Sequence, residues 1–112
     1  MTTFTAFFYS GSGCINPRTV PHEFIHAIGF THEQNRPDRD DYVTINRENI
    51  QPGNFFLNFR KTESDWLMFD LPYDGKSIMH YRYDAFTING KTTIESKASK
   101  IHIHINRYRM QL

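Results

Sequence analysis

A single cysteine in 112 residues excludes an internal disulfide. Cys14 is then either a small buried hydrophobe or a half-cystine whose partner lies outside the chain. An excess of charge of one sign is lacking as well. Thirteen Lys plus Arg stand against 12 Asp plus Glu, a formal charge of +1, and so weak a field recruits neither nucleic acid nor an anionic membrane surface. No apolar run approaches the roughly 18 residues that cross a bilayer, and Met1 to Ser10 has neither the basic start nor the long apolar stretch of a signal peptide. No asparagine stands in an N-x-[ST] acceptor site.

Aromatic residues are plentiful, at 15% of the chain. They let a short chain bury much apolar area per residue and argue against disorder. The length fits one small domain.

Turn signals divide the chain. Thr3 to Tyr9 is β-prone and ends at the turn Ser10-Gly11-Ser12-Gly13. From Thr19 to Ile28 the apolar residues Val20, Phe24, Ile25, Ala27 and Ile28 recur at helical spacing, with Pro21 in the first turn and Gly29 as a stop. Asn35 to Asp38 is a loop, Tyr42 to Ile45 a short β-prone run, and Asn46 a candidate N-cap for a short helix to Ile50. Pro52-Gly53 breaks the chain again, and Asn54 to Phe59 is open between strand and helix. Asp70 to Gly75 is a turn, and Ser77 to Tyr81 a compact apolar segment. Thr87 to Ile94 is predicted to be a hairpin about Asn89-Gly90, and Ile101 to Ile105 an alternating strand. His102 and His104 share a face of that strand, but two imidazoles make a weak metal site and a solvated face is the better reading.

The chemistry lies in His22-Glu23-Phe24-Ile25-His26-Ala27-Ile28-Gly29-Phe30-Thr31-His32, which matches H-E-x-x-H-x-x-G-x-x-H at every fixed position. Residues four apart sit on one helix face, so His22 and His26 can reach one metal ion. Gly29 permits the left-handed turn that ends the helix and lets His32 return as a third nitrogen ligand. Three ligands leave one position on a zinc ion for a water whose pKa falls to about 7. Glu23, beside that water, is suited to act as general base and then as acid toward the leaving amine. A lone histidine on an apolar helix face is more often a core residue than a ligand; five fixed positions together outweigh that.

Beyond the zinc motif, His32-Glu33-Gln34-Asn35-Arg36-Pro37-Asp38-Arg39-Asp40-Asp41-Tyr42-Val43-Thr44-Ile45 resembles the astacin signature H-E-x-x-R-x-D-R-D-x-Y-V-x-I, and Ser77-Ile78-Met79-His80-Tyr81 resembles the astacin Met-turn S-x-M-H-Y. The resemblance to astacin-family metzincin metallopeptidases runs from about Phe4 to about Ile94. It implies an α+β fold: the zincin-like lower subdomain with its zinc-binding helix and Met-turn, plus a remnant of the upper sheet near Phe4 to Cys14. It implies one zinc ion on His22, His26 and His32 and no other cofactor site. It implies Met79 beneath the metal, and Tyr81 as a further ligand that moves to the oxyanion in the transition state. Without it, Met79 and Tyr81 would be read as core residues. It further implies a polypeptide substrate and an extracellular, secreted location, while the weak charge and the lack of a long apolar run lead to the expectation of no nucleic-acid or membrane partner.

The sequence departs from the family pattern in three places. Only Ile15 to Val20 separates the Gly-Ser-Gly-Cys turn from the zinc helix, where the family has the strand that pairs with substrate. The resemblance puts Glu33 in contact with a mature N-terminus that this sequence lacks, which leaves Glu33 unpaired. Lys97 to Leu112 reads as an unrelated basic tail. The expectation is thus a partial astacin-like domain over residues 1–96 and a divergent tail over 97–112. Its function is zinc-dependent endopeptidase, with a non-catalytic zinc-binding pseudoenzyme or interaction module as the alternative.

Overall fold

Thr19–Ala27 forms helix α1, one residue shorter than the apolar spacing predicts. In this computed structural model the residues described are 17–63, 70–98 and 103. The chain divides into two compact units, one ending its first stretch at Phe30 and the other running from Thr31 to Arg109. The expected strand at Thr3 to Tyr9, Cys14, Ile15 and Asn16 of the short link after it, and His102 and His104 lie outside the described residues.

In the first unit, Pro21 is harmless because it falls in the opening turn, where a backbone N–H has no helical acceptor. The ladder begins with the His22 N–H donating to the Arg18 carbonyl at 3.2 Å. The helix ends in a Schellman arrangement: Gly29 N–H bonds the His26 carbonyl and Phe30 N–H bonds the Ile25 carbonyl. Gly29 takes φ +103°, a conformation that costs other residues strain.

The second unit is built on one antiparallel pair, β1 (Val43–Ile45) and β2 (Ile94–Ser96), in the register Val43 to Ser96 and Ile45 to Ile94. Short 3₁₀ turns occupy Glu33–Asn35, Arg39–Asp41 and Arg47–Asn49, and Asn54–Asn58 forms the short helix α2. The open choice at Asn54 to Phe59 thus falls to helix, started by Gly53 at φ +85°. Asn46 precedes a 3₁₀ turn without capping it; its side-chain amide donates instead to the Thr92 carbonyl.

The expected hairpin from Thr87 to Ile94 does not form. Asn89-Gly90 does bend the chain, with Gly90 at φ +76° and the Lys91 N–H donating to Asn89 Oδ1. The two arms have other partners, however: Thr87 bridges Ile50, and Ile94 pairs with Ile45. The pairing that buries Ile94 completely is the long-range one, and it outweighs a local turn preference.

Val43, Ile50, Phe59, Tyr73, Tyr81 and Ile94 make the core of this unit, with Tyr42, Ile45, Phe55, Ala85, Phe86 and Ile103 packed against it. Phe59 stands edge-on to Tyr81 at 5.9 Å and to Phe86 at 6.0 Å between ring centroids, within the favoured range for aromatic pairs. The architecture is α+β.

Candidate metal and catalytic site

On α1, His22 and His26 stand one turn apart with ring centroids 4.7 Å from each other and planes nearly perpendicular. His22 is buried and His26 half-buried, while Glu23 beside them is exposed. The His26 Nδ1 lies 2.8 Å from the Phe30 carbonyl. A carbonyl can only accept, so Nδ1 carries the proton and Nε2 carries the lone pair a metal needs. The Gly29 turn therefore does two things: it ends the helix, and it turns the Phe30 carbonyl back to fix the tautomer of His26.

His32 opens the second unit, half-buried, with its ring centroid 4.5 Å from that of Tyr81. One candidate ligand atom from each of His22, His26 and His32 lies within 4.8 Å of the others. Tetrahedral zinc with Zn–N bonds near 2.0–2.1 Å sets its nitrogens about 3.4 Å apart. Three imidazole nitrogens are a fitting donor set for such an ion.

Around Tyr81 the second unit is tightly cross-linked. Tyr81 is buried, and burial pushes its phenol up to about 12, so the hydroxyl keeps its proton at neutral pH. The His80 Nδ1 lies 2.6 Å from the Tyr81 carbonyl and its Nε2 lies 2.7 Å from the Tyr73 hydroxyl. The carbonyl fixes the proton on Nδ1, so the Tyr73 hydroxyl donates to Nε2. Met79 is also buried; its N–H donates to Ser77 Oγ at 3.1 Å, and its carbonyl accepts the Glu33 N–H at 3.0 Å.

Glu33 is not an unpaired acid. Its Oε1 accepts from Arg36 Nη1 at 3.0 Å and from the Asp74 N–H at 2.9 Å. The signature arginine supplies locally the positive partner that the family resemblance assigns to an N-terminus.

Several structural residues give no signal in the sequence. Gln34, Asn49 and Arg39 sit at polar loop positions, yet all are buried. Arg39 donates to the carbonyls of Gln34 and Phe59, and Asn49 Nδ2 donates to the Thr92 carbonyl at 2.8 Å. Loop polarity alone does not separate a solvated amide from one that satisfies buried backbone.

A histidine pair on a Gly-terminated helix and a third histidine at the eleventh position of the motif make a candidate metal centre of the metzincin type. The family model for Astacin, described as a peptidase family, matches residues 4–110. The chain belongs to the astacin family. It is 49% identical over 86 residues to embryonic protein UVS.2 of Xenopus laevis, covering 77% of this chain and 16% of that protein. It is 46% identical over 93 residues to meprin A subunit beta of Mus musculus, covering 80% of this chain and 13% of the relative. The solved structure of high choriolytic enzyme 1, a hatching enzyme zinc-protease from Oryzias latipes, matches with TM-score 0.72 and 44% identity over 82% of this chain and 46% of the other. The chain spans under a fifth of the length of the first two relatives and about half of the solved chain. Among the described residues no helix is long and apolar enough to cross a membrane.

Proposed function

We propose that this chain acts as a zinc endopeptidase on polypeptide substrates. The observation that carries the reading is the convergence of His22, His26 and His32 within 4.8 Å, in a chain of a peptidase family. In this reading the three imidazoles hold one zinc ion. When bound, the ion supplies a water of lowered pKa and polarises the scissile carbonyl.

Glu23 takes a proton from the attacking water as the new carbon–oxygen bond forms. It returns that proton to the amine as the carbon–nitrogen bond breaks. Its exposed position on α1 suits a group that must meet substrate. Tyr81 donates its phenolic hydrogen to the developing oxyanion, and the burial that holds its pKa near 12 keeps that proton available. Met79, buried in the segment that resembles the family's Met-turn, underlies the metal in this reading. Residues 1–96 carry the peptidase part and 97–112 a divergent tail in this reading, although the family match runs on to residue 110. The family resemblance supports a secreted, extracellular location.

Replacing Glu23 with Gln tests the mechanism. Zinc content should stay at the parent's level while cleavage of a denatured protein substrate falls by about 10²- to 10⁴-fold. Cleavage at the parent's rate would remove Glu23 from the chemistry.

A further inference from the structure

We propose that Gln34 is a positioning residue for Tyr81, setting the phenol against His32; the proposal rests on the role given to Tyr81 above. Gln34 is fully buried and lies two residues beyond His32, at a position the family signature leaves open. Its Oε1 accepts the backbone N–H of Tyr81 at 2.9 Å. Its Nε2 donates to Asn35 Oδ1 at 2.9 Å.

The orientation of this amide is determined by its neighbours. Asn35 Nδ2 donates to the carbonyls of Asn58 and Arg60, so Asn35 must face Gln34 with its oxygen. Gln34 must then present its amino group to Asn35 and its oxygen to Tyr81, where only an acceptor serves. Two backbone carbonyls thus dictate, through two side-chain amides, which atom meets the Tyr81 N–H.

Two bonds hold the segment after His32 to the residues before and at Tyr81, and a third holds Tyr81 from its neighbour His80. The Glu33 N–H reaches the Met79 carbonyl at 3.0 Å. Gln34 holds the N–H of Tyr81, and His80 Nδ1 holds its carbonyl. The Tyr81 backbone is therefore fixed on both sides. Of these bonds, the Gln34 bond alone joins Tyr81 itself to the strand of chain that carries His32. The 4.5 Å spacing of the His32 and Tyr81 rings follows from that register. A misplacement of about 1 Å in a reacting group costs on the order of 10²-fold in rate, so an anchor of this kind belongs to the catalytic geometry as well as to stability.

The test is a double-mutant cycle on the full chain with zinc, pairing Gln34→Leu with Tyr81→Phe. Gln34→Leu should lower kcat by about 10- to 100-fold with KM within about threefold, and should add little further loss once Tyr81 is already Phe. Equal losses in both backgrounds would overturn the proposal, since a merely structural role harms both alike. Tyr81→Phe is read first: an unchanged kcat there contradicts the role given to Tyr81, not the anchor. Two measurements do not depend on turnover. A hydrogen-bond coupling between the Tyr81 amide nitrogen and the Gln34 side-chain carbonyl carbon should be seen by NMR in the unmodified protein. Nuclear Overhauser contacts between the His32 and Tyr81 rings should weaken in Gln34→Leu. Absence of the coupling, or ring contacts unchanged in a folded variant, would overturn it even in a chain that cleaves nothing.

Discussion

Arg36 meets Asp38 along one edge of its guanidinium, Nε to Oδ1 at 2.9 Å and Nη2 to Oδ2 at 2.8 Å. The same group reaches Glu33 at 3.0 Å and the carbonyls of Leu71 and Pro72. One planar fork therefore ties the turn after His32 to Leu71 and Pro72, on the chain that leads into Ser77 to Tyr81. Lysine cannot reproduce it, because an ammonium has no fork.

Arg36→Ala should destabilise the fold by about 2–4 kcal/mol, because it strands two carboxylates in a half-buried site along with two carbonyls. Arg36→Lys should recover less than half of that loss. Denaturant unfolding of the three proteins measures both, and a loss under about 0.5 kcal/mol for Arg36→Ala would place the network among ordinary surface ion pairs.

The core makes a second demand. Phe59 is fully buried and touches Phe55, Tyr81 and Phe86 through their rings. Phe59→Ala should cost about 3–5 kcal/mol and loosen the wall against which Tyr81 rests. Thermal unfolding checks the first effect. A change near zero would mean that the core collapses around the lost ring.

How much of this is legible in the sequence depends on the kind of residue. The histidine spacing and Gly29 are legible because each follows from helix geometry and one backbone constraint, and Gly29 does take the left-handed turn. Val43 to Ile45 is legible from its β-branched residues and forms β1. The hairpin expected at Asn89-Gly90 fails for the opposite reason. Its local signal is real, but the sheet partner of Ile94 lies 49 positions away at Ile45, and no short window contains it. Gln34, Arg39 and Asn49 are illegible as buried residues, since their value lies in meeting distant backbone carbonyls and amides. Glu33 reads as unpaired only if its partner is sought far away, whereas Arg36 is three residues on.

Asp40 offers a test by pH. Burial acts to raise its carboxyl, but hydrogen bonds and charges from Lys61 and Arg39 prevail and hold it below the usual carboxylate range. A carboxyl lowered in the folded state adds stability above its unfolded pKa and loses it as pH falls through the folded value. Asp40→Asn should therefore cost stability at neutral pH and cost nothing in strong acid. The side chain is 55% exposed, so solvent screening keeps the neutral-pH cost to about 0.2–1 kcal/mol, smaller still in high salt. Unfolding free energies of parent and variant across pH 2–7 (about the span in which carboxylates titrate) read this out. A difference that grows toward acid would reverse the assignment.

The central claim is that three histidines of one short motif hold a zinc ion that supports peptide hydrolysis. Its most direct test is zinc per chain in the purified protein, measured together with cleavage of a denatured protein substrate before and after a chelator. The account predicts about one zinc per chain and cleavage that the chelator abolishes and added zinc restores. Zinc bound without cleavage would favour a binding module built on the same site, and a folded chain that takes up no zinc would contradict the account.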